Sequence, residues 1–98
     1  MRETRIEKRL IKEIEKIGGK ALKFVSPGVT GVPDRIVLLP HGKMIFVELK
    51  APGKKESPMQ RYRAKEYRNL GFDVRCIDSV ELIIKLIEEV RGYAICTS

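Results

Sequence analysis

Two apolar runs on either side of Pro40-His41-Gly42 constrain this chain more than any other feature. Arg35-Ile36-Val37-Leu38-Leu39 and Met44-Ile45-Phe46-Val47-Glu48-Leu49-Lys50 are rich in β-branched and aromatic residues, so each reads as a strand. Pro suits the first central position of a type I turn, and Gly suits the left-handed residue that follows. This predicts a three-residue hairpin loop with a Gly bulge. Leu39 then pairs with Lys43, and every facing pair of positions sums to 82. In that register Asp34 lies opposite Glu48, on the same face. A two-residue His-Gly turn would make the sum 83 and turn Asp34 to the other face.

The charges at the open end of this hairpin stand out. Strand side chains alternate faces, so Glu48 and Lys50 point the same way. A strand apolar on both faces has little use for two charges there. Asp34, Glu48 and Lys50 thus bring two carboxylates and an ammonium to one point, between Pro33 and Pro52. Such a group is suited to holding a divalent metal beside a polarised water and to cutting phosphodiesters. The plainer alternative is a surface salt bridge between Lys50 and one of the acids, since short patterns match by chance. His41 sits at the far tip of the hairpin, about six residues or roughly 20 Å from the acids, which excludes it as the general base.

Gly31-Val32-Pro33-Asp34, then Phe46-Val47-Glu48-Leu49-Lys50, then Gln60 resembles the PD-(D/E)xK nucleases. Within them the chain looks most like the virus-type replication-repair nuclease domain, VRR-NUC, in its stand-alone phage type. The similarity runs from about Glu3 to about Val80. Gly-x-Pro-Asp together with Glu-Leu-Lys is specific, whereas Glu-x-Lys alone is not. The resemblance implies a restriction-endonuclease-like α/β core and Mg²⁺ or Mn²⁺ held by Asp34 and Glu48, with the Leu49 carbonyl as a further ligand. It also implies one acidic residue from the first helix. Glu7 flanks the apolar stripe there and resembles the placement in archaeal Holliday-junction resolvases; Glu3 fits the family's opening Glu. Either one also reads as a first-turn acid complementing the helix dipole. Gln60 would lie beside the site, binding a phosphate oxygen or orienting water; without the resemblance it reads as an exposed helix residue. Stand-alone relatives imply a homodimer acting on branched DNA of the Holliday-junction type, in DNA repair.

The composition agrees with a polyanionic partner. Twenty basic and thirteen acidic residues give +7, with an isoelectric point near 9.7. Between Lys50 and Arg68 seven basic residues face two acidic ones, Glu56 and Glu66, a local excess of five. Arg61, Lys65 and Arg68 recur at helical spacing and read as phosphate contacts that carry no base information. Lys54 and Lys55, in a Gly-containing loop, are placed to clamp the backbone. The alternative is a solvated, solubilising helix face. Tyr62 and Tyr67 suit stacking on bases, although buried helix aromatics are commoner.

Ninety-eight residues, 43% hydrophobic and 34% charged, suit one globular domain spanning 1–98. No apolar run approaches the ~20 residues that span a bilayer, and the first residues do not read as a signal peptide. Cys76 and Cys96 read as free thiols, which places the chain in a reducing cytoplasm, bacterial or of a phage-infected cell. They and the lone His41 lack the spacing of a zinc site.

The expected order is α-β-β-β-α-β-α. A helix over 3–17 carries Ile6, Leu10, Ile14 and Ile17 and ends at Gly18-Gly19. A strand follows over 20–25, then a turn and Gly-rich loop, then the hairpin. A second helix starts at Pro58 after Ser57 and ends near Leu70. A strand over 72–77 and a last helix from Asp78 or Ser79 to about Arg91 complete a four-stranded mixed sheet flanked by helices. The last strand joins in parallel through the helix before it. The predicted activity is metal-dependent DNA hydrolysis. The competing readings are a non-catalytic DNA-binding module on the same fold, and a basic ribonucleoprotein scaffold with no need of charges inside a strand.

Overall fold

The computed structural model describes residues 2–97. Helix α1 spans Glu3–Lys16, strand β1 Lys20–Lys23, β2 Arg35–Leu39, β3 Lys43–Leu49, helix α2 Pro58–Asn69, strand β4 Asp73–Ile77 and helix α3 Val80–Thr97. The sheet order is β1-β2-β3-β4. The first three strands are antiparallel and β4 runs parallel to β3. The predicted mixed sheet and element order are therefore present.

The apolar stripe of α1 explains its docking. Ile6, Leu10 and Ile14 are fully buried. They meet Val37, Leu39, Ile45, Val47 and Leu49 from one face of the sheet, and Ile83, Leu86 and Val90 from α3. The chain leaves α1 through a Schellman turn: the Gly19 N–H donates to the Ile14 carbonyl and the Gly18 N–H to that of Glu15. A side chain at Gly19 would fall 2.6 Å from the Leu38 carbonyl oxygen, so only glycine lets α1 lie this close to β2.

The other sheet face is covered by α2 alone, through Ala64 and Tyr67 against Phe46, Val74, Ile36 and Met44. Phe46 is its centre, with ring centroids 5.8 Å from Phe24, 5.1 Å from Tyr67 and 5.7 Å from Phe72. The alternation of β3 thus serves two layers at once, α1 and α3 on one side and α2 on the other.

The hairpin register is the predicted one. Leu39 pairs with Lys43 and Arg35 with Val47. Its tip differs from the expected single left-handed Gly. Both His41 (φ 66°) and Gly42 (φ 76°) are left-handed, within a short 3-10 turn at Pro40–Gly42. The loop still holds three residues, so the register is unchanged. Strand β1 stops at Lys23, and α3 runs to Thr97, beyond the expected end at Arg91. Ser79 caps that helix, its Oγ accepting from the Leu82 N–H at 3.2 Å. Cys96 falls within α3 rather than in a tail, and its side chain lies outside the described residues. No helix among the described residues is long and apolar enough to cross a membrane.

Candidate active site

The site is built where the β2–β3 ladder stops. Pro33 has no N–H to continue the pairing. The Asp34 side chain takes over: its Oδ2 accepts the Leu49 N–H at 2.8 Å. The Asp34 carbonyl accepts from the Phe24 N–H at 2.9 Å, which fixes its backbone to the end of β1. One step beyond the Arg35–Val47 pair, the register sets Asp34 opposite Glu48. On the other side Glu48 is level with Cys76 of β4. The α2 face of the sheet thus has an apolar rung, Leu22–Ile36–Phe46–Val74, and next to it a polar one, Asp34–Glu48–Cys76.

Glu48 is 2% exposed, and its Oε1 has no hydrogen-bond partner. An unpaired buried polar atom costs about 1–3 kcal/mol. Burial is the main reason the Glu48 carboxyl is pushed up to about 9, and the Asp34 carboxylate beside it adds to the effect. The Lys50 ammonium opposes it. Lys50 is half-buried, and its own N–H is tied to the Ile77 carbonyl. Asp34, Glu48 and Lys50 are thus brought together.

Two neighbours escaped sequence reasoning. The Glu56 carboxylate, in the loop before α2, also pushes the Glu48 carboxyl and the Cys76 thiol upward. Cys76 is a free thiol raised to about 11, chiefly by burial. Nothing in the local sequence signals either one. Cys76 reaches the site only through the parallel pairing of β3 with β4, and Glu56 only through the return of the loop.

The helix residues are placed less simply. Glu7 is held by Arg35, with its Oε2 3.4 Å from Nε and 3.3 Å from Nη2. Arg35 also donates to the Ala21 carbonyl at 3.1 Å. Being next in the strand to Asp34, Arg35 faces the α1 side. Among the described residues no three His, Cys, Asp or Glu side chains form a metal-sized group. Glu3 is exposed at the start of α1. Gln60 forms a capping box with Ser57: its Oε1 accepts the Ser57 N–H at 2.8 Å, and the Ser57 Oγ accepts the Gln60 N–H at 3.1 Å. Its amide oxygen is thereby committed to starting α2.

The basic segment divides in two. Lys54, Lys55, Arg61 and Lys65 are exposed. Arg68 is exposed as well, and it also gives Nε and Nη2 to the Val74 carbonyl at 3.2 and 2.8 Å, tying α2 to β4. Tyr62 is exposed, whereas Tyr67 packs on Phe46.

No family model matches the chain. It is 55% identical over 82 residues to "Putative nuclease p44" of Acyrthosiphon pisum secondary endosymbiont phage 1, covering 84% of this chain and 88% of that protein. A solved structure described as a VRR_NUC domain superposes with a TM-score of 0.83 at 34% identity, over 88% of this chain and 94% of the other. Two carboxylates on one rung and a lysine two residues beyond, on the fold of that domain and in a chain this similar to the phage protein, lead to one assignment. The chain belongs to the VRR_NUC family of nuclease domains, in its phage type.

Proposed function

We propose that this domain is a divalent-metal-dependent deoxyribonuclease acting on branched DNA of the Holliday-junction type, as a homodimer. The observation that carries the reading is the buried Glu48 carboxyl, whose Oε1 has no hydrogen-bond partner and on which the neighbouring Asp34 carboxylate acts. Two acids forced together out of water are stable only when a proton or a cation lies between them. Hard oxygen donors suit Mg²⁺ or Mn²⁺, which keep several waters and need few protein ligands. Asp34 and Glu48 would hold the ion, with the Leu49 carbonyl completing the protein share and Glu7 acting through water. When bound, such an ion supplies an acidified water and neutralises charge on a phosphodiester.

The remaining work falls to the chain itself. Lys50 orients the attacking water or helps deprotonate it, and stabilises the transition state at the phosphate. Gln60 retains its amide NH₂ for a phosphate oxygen. Lys54, Lys55, Arg61 and Lys65 supply the sequence-independent attraction to the backbone. Junction cutting needs two coordinated sites, which a symmetric dimer provides. DNA repair or replication is the setting such an activity serves.

The test is cleavage of matched linear, flap and four-way substrates with Mg²⁺, Mn²⁺ or EDTA. Four-way DNA should be cut fastest, only with metal, and a cruciform plasmid should go to linear product without accumulating nicked circles. Cleavage persisting in EDTA would sink the metal reading. Equal rates on linear duplex, or a sedimenting monomer that still linearises the plasmid, would sink junction specificity or the dimer respectively.

The exposed cations carry a separate expectation. Replacing Arg61 and Lys65 together by Ala should flatten the dependence of log affinity on log salt by about 1.8 units, roughly 0.9 per lost phosphate contact. Arg68→Ala should also lower stability, because its guanidinium donates to the Val74 carbonyl. Filter binding in EDTA across a salt series measures the slope, and thermal melts the stability.

A further inference from the structure

Arg63 is the one cation of the basic segment that reaches toward the loop leading into Asp34. Its Nε donates to the Thr30 carbonyl at 3.0 Å. Its Nη1 pairs with Glu66 Oε1 at 2.9 Å, and its side chain is only 15% exposed. The guanidinium also lies 5.5 Å from the centre of the Tyr62 ring. A phosphate contact would have to give up this arrangement, unlike Arg61 or Lys65 on the exposed face.

The residue after Thr30 makes the second contact. Gly31 is left-handed (φ +80°), and a side chain there would fall 2.7 Å from both the carbonyl oxygen and Cγ of Met59. The backbone of the loop therefore lies directly on the first turn of α2, at a distance only glycine allows. Upstream, residues 26–29 form short turns, with the Gly28 and Val29 N–H groups donating to the Ser26 carbonyl. Downstream come Val32, Pro33 and Asp34. α2 thus grips the loop at Thr30 and Gly31, and β1 and β3 fix it again at Asp34.

We infer that Arg63 is a positioning residue: by holding the Thr30 carbonyl against α2 it sets where the Asp34 carboxylate stands relative to Glu48. The inference rests on Asp34 being a site carboxylate, as proposed above. It has a mechanical consequence. The same helix presents Arg61 and Lys65 to the DNA backbone and grips the loop that ends in Asp34. The scissile phosphate and the carboxylate are then located from one rigid element. A displacement of about 1 Å at a reacting centre can lower a rate by roughly 10²-fold, so a hydrogen bond four residues away has leverage on turnover.

The experiment compares Arg63→Ala, Arg63→Lys, Gly31→Ala and Glu66→Gln with the wild type. It measures turnover at saturating DNA, DNA affinity in EDTA, the metal concentration giving half-maximal turnover, and melting temperature. Arg63→Ala should lower turnover by about 10-fold or more and raise the metal requirement, with affinity in EDTA unchanged. Arg63→Lys, which keeps the charge and one donor, should recover part of the turnover. Gly31→Ala, which forces the loop off α2 from the opposite side, should reproduce the loss. Glu66→Gln weakens the other arm of Arg63 and should cut at the wild-type rate.

Wild-type turnover at saturation with weakened affinity in EDTA would make Arg63 a phosphate contact and overturn the inference. Equal losses in Arg63→Ala and Glu66→Gln, tracking melting temperature, would make its role structural only and overturn it as well. Should Arg63→Ala not fold, Arg63→Lys decides: a folded variant with reduced turnover supports positioning, and one with full turnover overturns it. Asp34→Ala distinguishes failure of the site from failure of the positioning role. If that variant still cuts, the site reading itself fails, whatever Arg63 does.

Discussion

Glu48→Ala should abolish cleavage while leaving the fold and DNA binding in EDTA in place. The carboxylate is one of two that face each other on the polar rung, and Asp34→Ala should have the same effect. Phosphate contacts supply most of such affinity, and the cations proposed for them, Lys54, Lys55, Arg61 and Lys65, lie elsewhere. A folded Glu48→Ala protein that cuts at the wild-type rate would refute the site. The isosteric Glu48→Gln adds a thermodynamic readout. Without metal, the Glu48 carboxyl is raised from its usual 4.5 to about 9 by burial and by Asp34. An acid whose pKa is raised by folding holds a proton that the unfolded chain releases. Its stability contribution is therefore complete below about 4.5 and is lost progressively as pH rises toward about 9. The amide has no such loss. Metal-free Glu48→Gln should match the wild type near pH 4 and melt higher at pH 8. Relief of even 1 kcal/mol corresponds to roughly 4–8 °C for a domain of this size. Thermal melts in EDTA across this pH range provide the check, and an unchanged difference from pH 4 to 8 would rule out the buried, protonated carboxyl.

Lys50→Ala should lower turnover by about 10²-fold or more, the scale of losing one donor to a transition state. Lys50 sits two residues from Glu48 on the same strand face, and its charge acts on that carboxyl. The loss should appear in turnover at saturating DNA, because a single phosphate contact is worth little beside the several exposed cations of the basic segment. Single-turnover cleavage with excess enzyme isolates the chemical step. If Lys50→Ala changes only the affinity, measured in EDTA, the lysine binds DNA and has no part in hydrolysis.

The sequence determined what depends on near neighbours. The Pro-His-Gly loop length set the hairpin register, and the register set Asp34 against Glu48; both follow from alternation along two short strands. The tip adopted a different backbone, with His41 as well as Gly42 left-handed, yet the register held because the count of residues was unchanged. The stripe Ile6-Leu10-Ile14 and the Ser57–Gln60 capping box are legible for the same reason, since their partners lie within a turn or two of helix. VRR-NUC membership was also legible, from the Gly-x-Pro-Asp and Glu-Leu-Lys elements.

Only the tertiary structure decided how the long side chains are used. Arg61, Arg63, Lys65 and Arg68 are one basic run on paper, and spacing assigned Arg68 to the phosphate-binding set. In the fold Arg68 donates to the Val74 carbonyl and Arg63 to that of Thr30, and only Arg63 of the four is not exposed. Glu7, expected at the site, forms an ion pair with Arg35 that spacing does not announce. Glu56 and Cys76, with no signal of their own, arrive beside Glu48. The physical reason is common to all of them. Backbone periodicity fixes which way a side chain leaves its element, whereas a guanidinium or carboxylate on a long flexible stem goes to whichever partner the packing of distant segments brings within hydrogen-bonding reach.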